Sequence, residues 1–370
     1  MSKWEMVRLG DVCSGEITNI AQKNLADNIG NYPIFGASGL IKHVDFYKQD
    51  KPYIAVVKDG AGVGRVSYMP TKSSVIGTMQ YILPNERINV KFLYYVMVRM
   101  KLARFYTGAT IPHIYFKDYK KEFIPLPPLP IQQRIADILD HASILIEKRK
   151  AQIEKLDLLV KARFVDMFGD PVVDSKSWGI KPLNDSLVGV RYGTGSPPPY
   201  SKSGYAFIRA TNIKNGRVFD TGMKFITEED GKKIEKCRLN GGEIIIVRSG
   251  VNTGDTCIVP MKYAGHFAGY DIIIETDAEQ LNAIFLNELL NTSYMLLVVK
   301  PLTARTAQPH INAEQVRSLP IIKVPLELQT RFADFVRQVD KSKSEMQRGL
   351  DKLELLYKSL MQKCFKGEMF

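Results

Sequence analysis

Residues 128–168, PLPIQQRIADILDHASILIEKRKAQIEKLDLLVKARFVDMF, and residues 325–365, PLELQTRFADFVRQVDKSKSEMQRGLDKLELLYKSLMQKCF, are one segment used twice. The correspondence starts further upstream, where Pro112-His113-Ile114 recurs as Pro309-His310-Ile311, and the shift of 197 residues then holds without a gap. Sixteen of the 57 positions in 112–168 and 309–365 are identical, against roughly one in seventeen for unrelated sequence of ordinary composition. Self-similarity at a fixed offset marks a duplicated structural unit.

Both copies read as long helices. Ile135, Leu139, Ala142, Ile146, Arg149, Ile153, Leu156, Val160, Arg163 and Met167 step by four and three, and eight of the ten are apolar. Their counterparts Phe332, Val336, Val339, Lys343, Met346, Leu350, Leu353, Tyr357, Leu360 and Cys364 are apolar at nine of ten. A 3.5-residue repeat sustained over several heptads is a coiled-coil seam. Pro125, Pro127, Pro128 and Pro130, and in the second copy Pro320 and Pro325, bar any extension upstream. Gly169 and Gly367 end the helices. A helix from about 131 to 168 would be on the order of 55 Å long.

Upstream of the uniform segments the halves correspond loosely. Trp4 with Leu9 resembles Trp178 with Leu183, and Val57-Lys58-x-Gly60-x-x-x-Gly64 resembles Val247-Arg248-x-Gly250-x-x-x-Gly254, but the shifts are 174 and 190. Short β-branched or aromatic runs predict strands at Tyr53–Val57, Gln80–Leu83, Gly204–Arg209, Glu243–Val247 and Tyr270–Glu275. Helices are expected over Val90–Tyr106 and Glu279–Lys300. The predicted organisation is an α/β (α+β) domain at 1–130, a spacer helix at 131–171, a second domain at 172–325 and a distal helix at 326–370.

The 370 residues are 45% apolar, enough for two or three domains with their own cores. Lys and Arg number 51 against 39 Asp and Glu, a net charge of +12, which favours a polyanionic partner. Divided at the domain limits, the charge is +7 over 1–130, 0 over 131–171, +3 over 172–325 and +2 over 326–370. The basic excess therefore sits in the domains, and the helices are nearly balanced, as surfaces that pack on protein should be. The four cysteines form no C-x-x-C pair, and the five histidines show no ligand spacing, so no metal site is expected. No apolar run spans a membrane, and the N-terminal residues lack a signal peptide's apolar core, so a cytoplasmic protein is expected.

A Trp-x-x-x-x-Leu opening, the proline-rich helix entry ending in Gln-Gln-Arg-Ile-Ala (here Pro127-Pro128-Leu129-Pro130-Ile131-Gln132-Gln133-Arg134-Ile135-Ala136), the exit Phe168-Gly169-Asp170-Pro171 and the repetition of the whole resemble the specificity subunits of type I restriction-modification systems. The resemblance covers essentially the full chain. It implies two target recognition domains, each reading half of a split double-stranded DNA site. It also implies long helices paired as an antiparallel coiled coil with internal two-fold pseudo-symmetry, so that helix length sets half-site separation. No catalysis is implied for the chain itself. The expected partners are two methyltransferase subunits and translocase-nuclease (restriction) subunits, with S-adenosylmethionine and ATP bound on those subunits and no cofactor on this chain.

Bases are read by Arg, Lys, Asn or Gln reaching their edges, while other polar contacts position phosphates. Four stretches offer such groups. The glycine loop after the first domain's strand carries Lys58 and Arg65, and its counterpart carries Arg248, Ser249 and Asn252. The loop before each long helix carries Thr110 and His113 in one half and Arg305, Thr306, Gln308 and His310 in the other. A strand end adds Arg209, Thr211 and Asn212. For each loop the competing reading is structural: a tight turn, or an anchor at the helix entry.

Three motifs carry no chemistry. Ser196-Pro197-Pro198-Pro199-Tyr200 is similar to an amino-methyltransferase loop but has an extra proline, an initial Ser and no cofactor-binding strand before it. Asp174-Ser175-Lys176 lacks a second acid at nuclease spacing, and Gly60-x-Gly62-x-Gly64 lacks dinucleotide spacing. A stand-alone DNA-modifying enzyme therefore lacks its motifs, and a coiled-coil adaptor unrelated to DNA leaves the basic domains unexplained.

Overall fold

The computed structural model describes residues 3–108, 112–303 and 309–370. The chain divides into two compact units: unit 1 is Met1–Lys150 with Arg348–Phe370, and unit 2 is Ala151–Gln347.

In unit 1, β1 (Met6–Arg8), β2 (Cys13–Ile17), β3 (Tyr32–Gly36), β4 (Gly39–Val44), β5 (Tyr53–Val57), β6 (Val66–Met69), β7 (Ser74–Val75) and β8 (Met79–Pro84) precede α1 (Val90–Met100), α2 (Phe116–Tyr119) and β9 (Phe123–Pro125). They form an antiparallel sheet in the order β2-β8-β5-β6, a smaller sheet β4-β3-β7 and the pair β1-β9. Helix α3 (Leu129–Phe168) follows.

Unit 2 repeats this plan. Strands β10 (Ile180–Pro182), β11 (Leu187–Tyr192), β12 (Tyr205–Ile208), β13 (Ile213–Lys214), β14 (Arg217–Val218) and β15 (Lys224–Ile226) lead to α4 (Glu228–Lys233). Strands β16 (Ile244–Ile246), β17 (Thr256–Ile258), β18 (Phe267–Ala268) and β19 (Ile272–Thr276) precede α5 (Ala283–Leu290), α6 (Lys300–Thr303) and α7 (Ala313–Arg317). Strand β20 (Pro320–Ile322) precedes α8 (Leu326–Lys366). The orders β11-β19-β16-β17, β15-β12-β18 and β10-β20 match those of unit 1 strand for strand. The hairpin β13-β14 has no counterpart among the described residues of unit 1. It lies in the interval where the sequence shift rises from 174 to 190, and so helps explain the loose upstream correspondence.

Each long helix gives one half to each unit, and within each unit the two halves run antiparallel. In unit 1, Ile135 and Leu139 share a core with Cys364 and Phe365, while Lys150 pairs with Glu354 at 3.1 Å. In unit 2, Phe164 and Phe168 meet Phe332 with ring centroids 5.5 and 5.3 Å apart. Lys343, the one charge in the second helix's seam, meets Asp157 at 2.5 Å. Of the expected seam, Ile135, Leu139, Ile146, Ile153, Val160, Phe332, Val336, Val339 and Leu350 are buried. Leu156, Leu353, Tyr357 and Leu360 are half-buried.

Several expectations need correction. Past Val160 the buried positions are Phe164 and Phe168 rather than Arg163 and Met167. A helix turns once per 3.6 residues, so a 3.5-residue stripe drifts, and here the buried face shifts onto Phe164 and Phe168, which pack both on Phe332 of the seam and on Phe285 of the globular core. Helix α3 begins at Leu129, which puts Pro130 in the first turn, where a missing N–H leaves no bond unmade. The helix expected over 90–106 stops at Met100 because Lys101 is left-handed with φ 51°. The one expected over 279–300 starts at the N-cap Asn282 and breaks after Leu290.

The recurring tryptophans close the ends of the long helices. Trp4 Nε1 donates to the Cys364 carbonyl at 3.3 Å and Trp178 Nε1 to the Phe168 carbonyl at 3.0 Å, satisfying carbonyls that a helix end leaves without partners. Gly367 and Gly169, at φ 78° and 77°, supply the left-handed turns that follow. Among the described residues no helix is long and apolar enough to cross a membrane.

Candidate nucleic-acid interface

Strand β5, buried along its whole length, delivers Lys58 to the end of the sheet. The loop that follows turns through Gly60, Gly62 and Gly64, all with positive φ. At Gly64 a Cβ would lie 2.4 Å from the Ala103 nitrogen, so only glycine fits. The Pro112-His113 segment crosses this loop: the Ile114 N–H donates to the Lys58 carbonyl at 2.9 Å and the Gly60 N–H to the Pro112 carbonyl at 3.2 Å. Buried Ile114 anchors the crossing. Gln80, also buried, accepts from the Phe116 N–H at 3.1 Å and donates to the Ile114 carbonyl at 3.4 Å.

Unit 2 builds the same junction. The Ile311 N–H donates to the Arg248 carbonyl at 3.0 Å, the Gly250 N–H to the Pro309 carbonyl at 3.4 Å and Thr253 Oγ1 to the same carbonyl at 3.1 Å. In both units the glycine loop and the Pro-His loop, recognised separately in the sequence, are thus one structure with one backbone pattern.

The groups presented differ. In unit 1 Asp59 stands between an ion pair to Lys58 and His113 Nδ1, the latter at 3.0 Å. Burial works to raise the Asp59 carboxyl, but the Lys58 ammonium and the His113 ring together outweigh it and hold the group below its usual range. The Lys58 side chain is only 13% exposed, and its ammonium lies 5.8 Å from the Tyr115 ring. Arg65 is exposed, with Nη1 donating to the Ala37 carbonyl at 2.9 Å.

In unit 2 the Arg248 guanidinium carbon lies 4.5 Å from the Tyr192 ring centroid and 4.4 Å from that of Tyr270. Its Nε donates to His310 Nε2 at 3.0 Å, and its main-chain N–H donates to Asp271 Oδ1 at 3.1 Å. Burial pushes the Asp271 carboxyl up to about 6, against the pull of Arg248. Gly193 permits this arrangement: its Cβ would lie 1.6 Å from the Gly269 carbonyl oxygen, so only glycine lets the chain leave Tyr192 against the turn carrying Tyr270. Ser249 bridges His310, and Asn252 is half-buried in the same loop.

The third stretch divides. Arg209 donates through Nη2 to the Gly222 carbonyl at 2.8 Å and lies 5.7 Å from the ring of Tyr200, and Thr211 is exposed. Asn212 was expected to face DNA, and this is corrected. It is 1% exposed, its amide nitrogen donates to the Phe219 and Thr221 carbonyls, each at 3.2 Å, and its oxygen accepts from the Arg209 N–H. With both amide atoms holding the chain around the β13-β14 hairpin, it has none to offer a base. Thr110, Arg305, Thr306 and Gln308 lie outside the described residues.

Sequence reasoning missed Asp59, Tyr115, Tyr192, Tyr270 and Asp271. Asp59 lies inside the glycine loop between Lys58 and Gly60, and His113 in the repeated Pro-His pair was the available signal. Tyr192 ends β11 and Asp271 stands just before β19, 79 residues apart in the chain, and these had none.

Comparison with known proteins places this architecture. Residues 1–155 and 196–355 match the model of the type I restriction modification DNA specificity domain. The type I restriction enzyme MjaVIII specificity subunit of Methanocaldococcus jannaschii is 23% identical, over 99% of this chain and 93% of that protein. The EcoDI specificity subunit of Escherichia coli is 22% identical, over 99% and 88%. The crystal structure of a type I restriction-modification S subunit from M. genitalium shares the fold, with a TM-score of 0.66 at 16% identity over 98% of this chain and 96% of that one.

Proposed function

The chain belongs to the type I restriction modification DNA specificity family, and from that premise we propose that it selects the DNA sequence on which its partner subunits act. Residues 1–130 take one half of a bipartite double-stranded site and residues 172–325 the other. The long helices set the separation and carry the partners. The observation that carries this reading is the junction of glycine loop and Pro-His loop, built with the same backbone bonds in both units at the ends of Val57 and Val247. Lys58, Arg65, His113, Arg209, Thr211, Arg248, Ser249, Asn252 and His310 are the described groups at or near these surfaces, and the net charges of +7 and +3 supply a salt-dependent, sequence-independent part of the affinity.

Methyltransferase subunits dock on the helices in this reading. Leu158-Leu159 and Leu355-Leu356, equivalent in the repeat, are exposed on their helices at 62, 46, 69 and 64%, and contiguous exposed apolar surface marks an interaction site. Unit 1 adds exposed Ile144 and Leu145 where the second copy has Lys341 and Ser342. The groove there is lined by Leu145, Leu356, Tyr357, Leu360 and Met369. The chain itself performs no methyl transfer or cleavage, and S-adenosylmethionine, ATP and the restriction subunits belong to the assembled complex in the cytoplasm.

The test is a domain exchange. Replacing residues 1–130 with the corresponding domain of a relative, with the methyltransferase subunits present, should change one half of the methylated sequence and leave the other unchanged. An unchanged sequence, or methyl transfer by the purified chain alone, refutes the assignment.

A further inference from the structure

We propose that Arg248 reads a guanine in the half-site taken by residues 172–325, as a guanidinium fork preset by Tyr192, Tyr270 and His310. The proposal rests on the reading of the chain as a DNA-sequence selector and names what one of its surfaces selects. The guanidinium lies against two tyrosine rings, 4.5 and 4.4 Å from its central carbon. Its Nε is held by His310 at 3.0 Å. The two Nη groups have no hydrogen-bond partner among the described residues. Two parallel N–H donors on a fixed plane match O6 and N7 of guanine in the major groove, the commonest specific contact between a side chain and a base.

The surroundings favour a base over a phosphate. A phosphate contact needs charge, which a flexible lysine supplies; a planar, stacked, immobilised arginine is suited to bidentate recognition. The buried Asp271 carboxyl, which accepts from the Arg248 main-chain N–H at 3.1 Å, also attracts the Arg248 charge when ionised. The Tyr192 hydroxyl accepts from the Ala313 N–H at 2.9 Å, so that wall of the slot is fixed as well. At the equivalent place in unit 1, Lys58 is ion-paired to Asp59, where Ser249 stands in unit 2. One frame therefore presents a compensated lysine in one module and an arginine fork in the other, and the two half-sites are read by different chemistry.

The experiment uses the full chain expressed with its methyltransferase subunits and maps methylated sequence base by base. For Arg248→Ala and Arg248→Lys the expected result is loss of selection at one guanine in one half-site, by roughly 10- to 100-fold, with the other half-site unchanged. Tyr270→Phe retains that guanine and Tyr270→Ala relaxes the same position. This separates positioning of the fork from a merely structural role. In binding assays on a duplex with 7-deazaguanine at that position, the parent complex weakens and the Arg248→Ala complex does not. An unchanged motif methylated evenly less, with the salt slope reduced by about one, would make Arg248 a phosphate contact and overturn the proposal. If Arg248→Ala does not fold, the Lys variant and the Tyr270 pair decide, an unchanged motif in all three overturning it. A parent complex that selects no sequence would instead overturn the underlying reading of function.

Discussion

Gln132 and Asn89 are joined by a 2.7 Å hydrogen bond from the Asn89 main-chain N–H to the Gln132 side-chain oxygen. The same bond recurs from Asn282 to Gln329 at 2.8 Å. Each glutamine is buried, and each turns its amide nitrogen to two carbonyls: Arg87 and Pro127 in unit 1, Gln280 and Val324 in unit 2. Asn89 and Asn282 in turn cap α1 and α5. The glutamine of the repeated helix entry is thus a clamp that ties the long helix to the cap of a domain helix, and this is the physical content of its recurrence.

Replacing Gln132 or Gln329 with Leu leaves one buried and two partly buried main-chain groups without these partners, and a buried group left unpaired costs roughly 1 kcal/mol or more. Each substitution should destabilise its own unit by about 2–4 kcal/mol. Denaturant melts of the variants, followed by hydrogen exchange to locate the affected unit, check this, and a loss below about 1 kcal/mol would contradict the clamp.

Asp271 gives a stability profile with a defined sign. Its folded-state carboxyl lies near 6, above the unfolded value of about 3.9, so the fold favours the protonated form. That contribution is full below about pH 4 and is lost as pH rises through 6. Asn at this position keeps an oxygen to accept the Arg248 N–H and carries no charge. Asp271→Asn should therefore be more stable than the parent at pH 8, by about 1–3 kcal/mol, with the difference shrinking towards pH 4. Melting temperatures across that range settle the sign.

The exposed leucine pairs separate assembly from folding. Leu355→Ser with Leu356→Ser, and Leu158→Ser with Leu159→Ser, should alter stability by less than about 0.5 kcal/mol per position while weakening capture of the methyltransferase subunits. The 355/356 double variant should lose more, because Ile144 and Leu145 extend the apolar face only in unit 1. Size-exclusion profiles of the co-expressed subunits report both effects, and an intact complex from both double variants would argue for a different docking face.

Asn212 and Arg65 should behave as opposites. Asn212→Ala removes bonds to two carbonyls and should cost about 1–3 kcal/mol of stability without altering the methylated sequence. Arg65→Ala, at an exposed site, should leave stability nearly unchanged and lower the slope of log affinity against log salt by about one. Affinity titrations at several salt concentrations distinguish them.

What the sequence determined follows from signals local to the chain. The 197-residue repeat and heptad stripe specify two long helices, the glycines at 60–64 and 250–254 specify loops, and the run Tyr53–Val57 specifies a buried strand, because backbone conformation and period are written in neighbouring residues. Tertiary structure decided which side chains meet. Asn212 resembles a base reader in the linear chain, yet is buried because the chain after it folds back to bring Phe219 and Thr221 onto its amide. Arg248 resembles any cation at the end of a strand, and becomes a fixed fork because Tyr192, Tyr270 and His310 reach it from positions 56, 22 and 62 residues away. Partners that far apart leave no period or spacing, since sheet register and loop crossing bring them together only after the chain has folded.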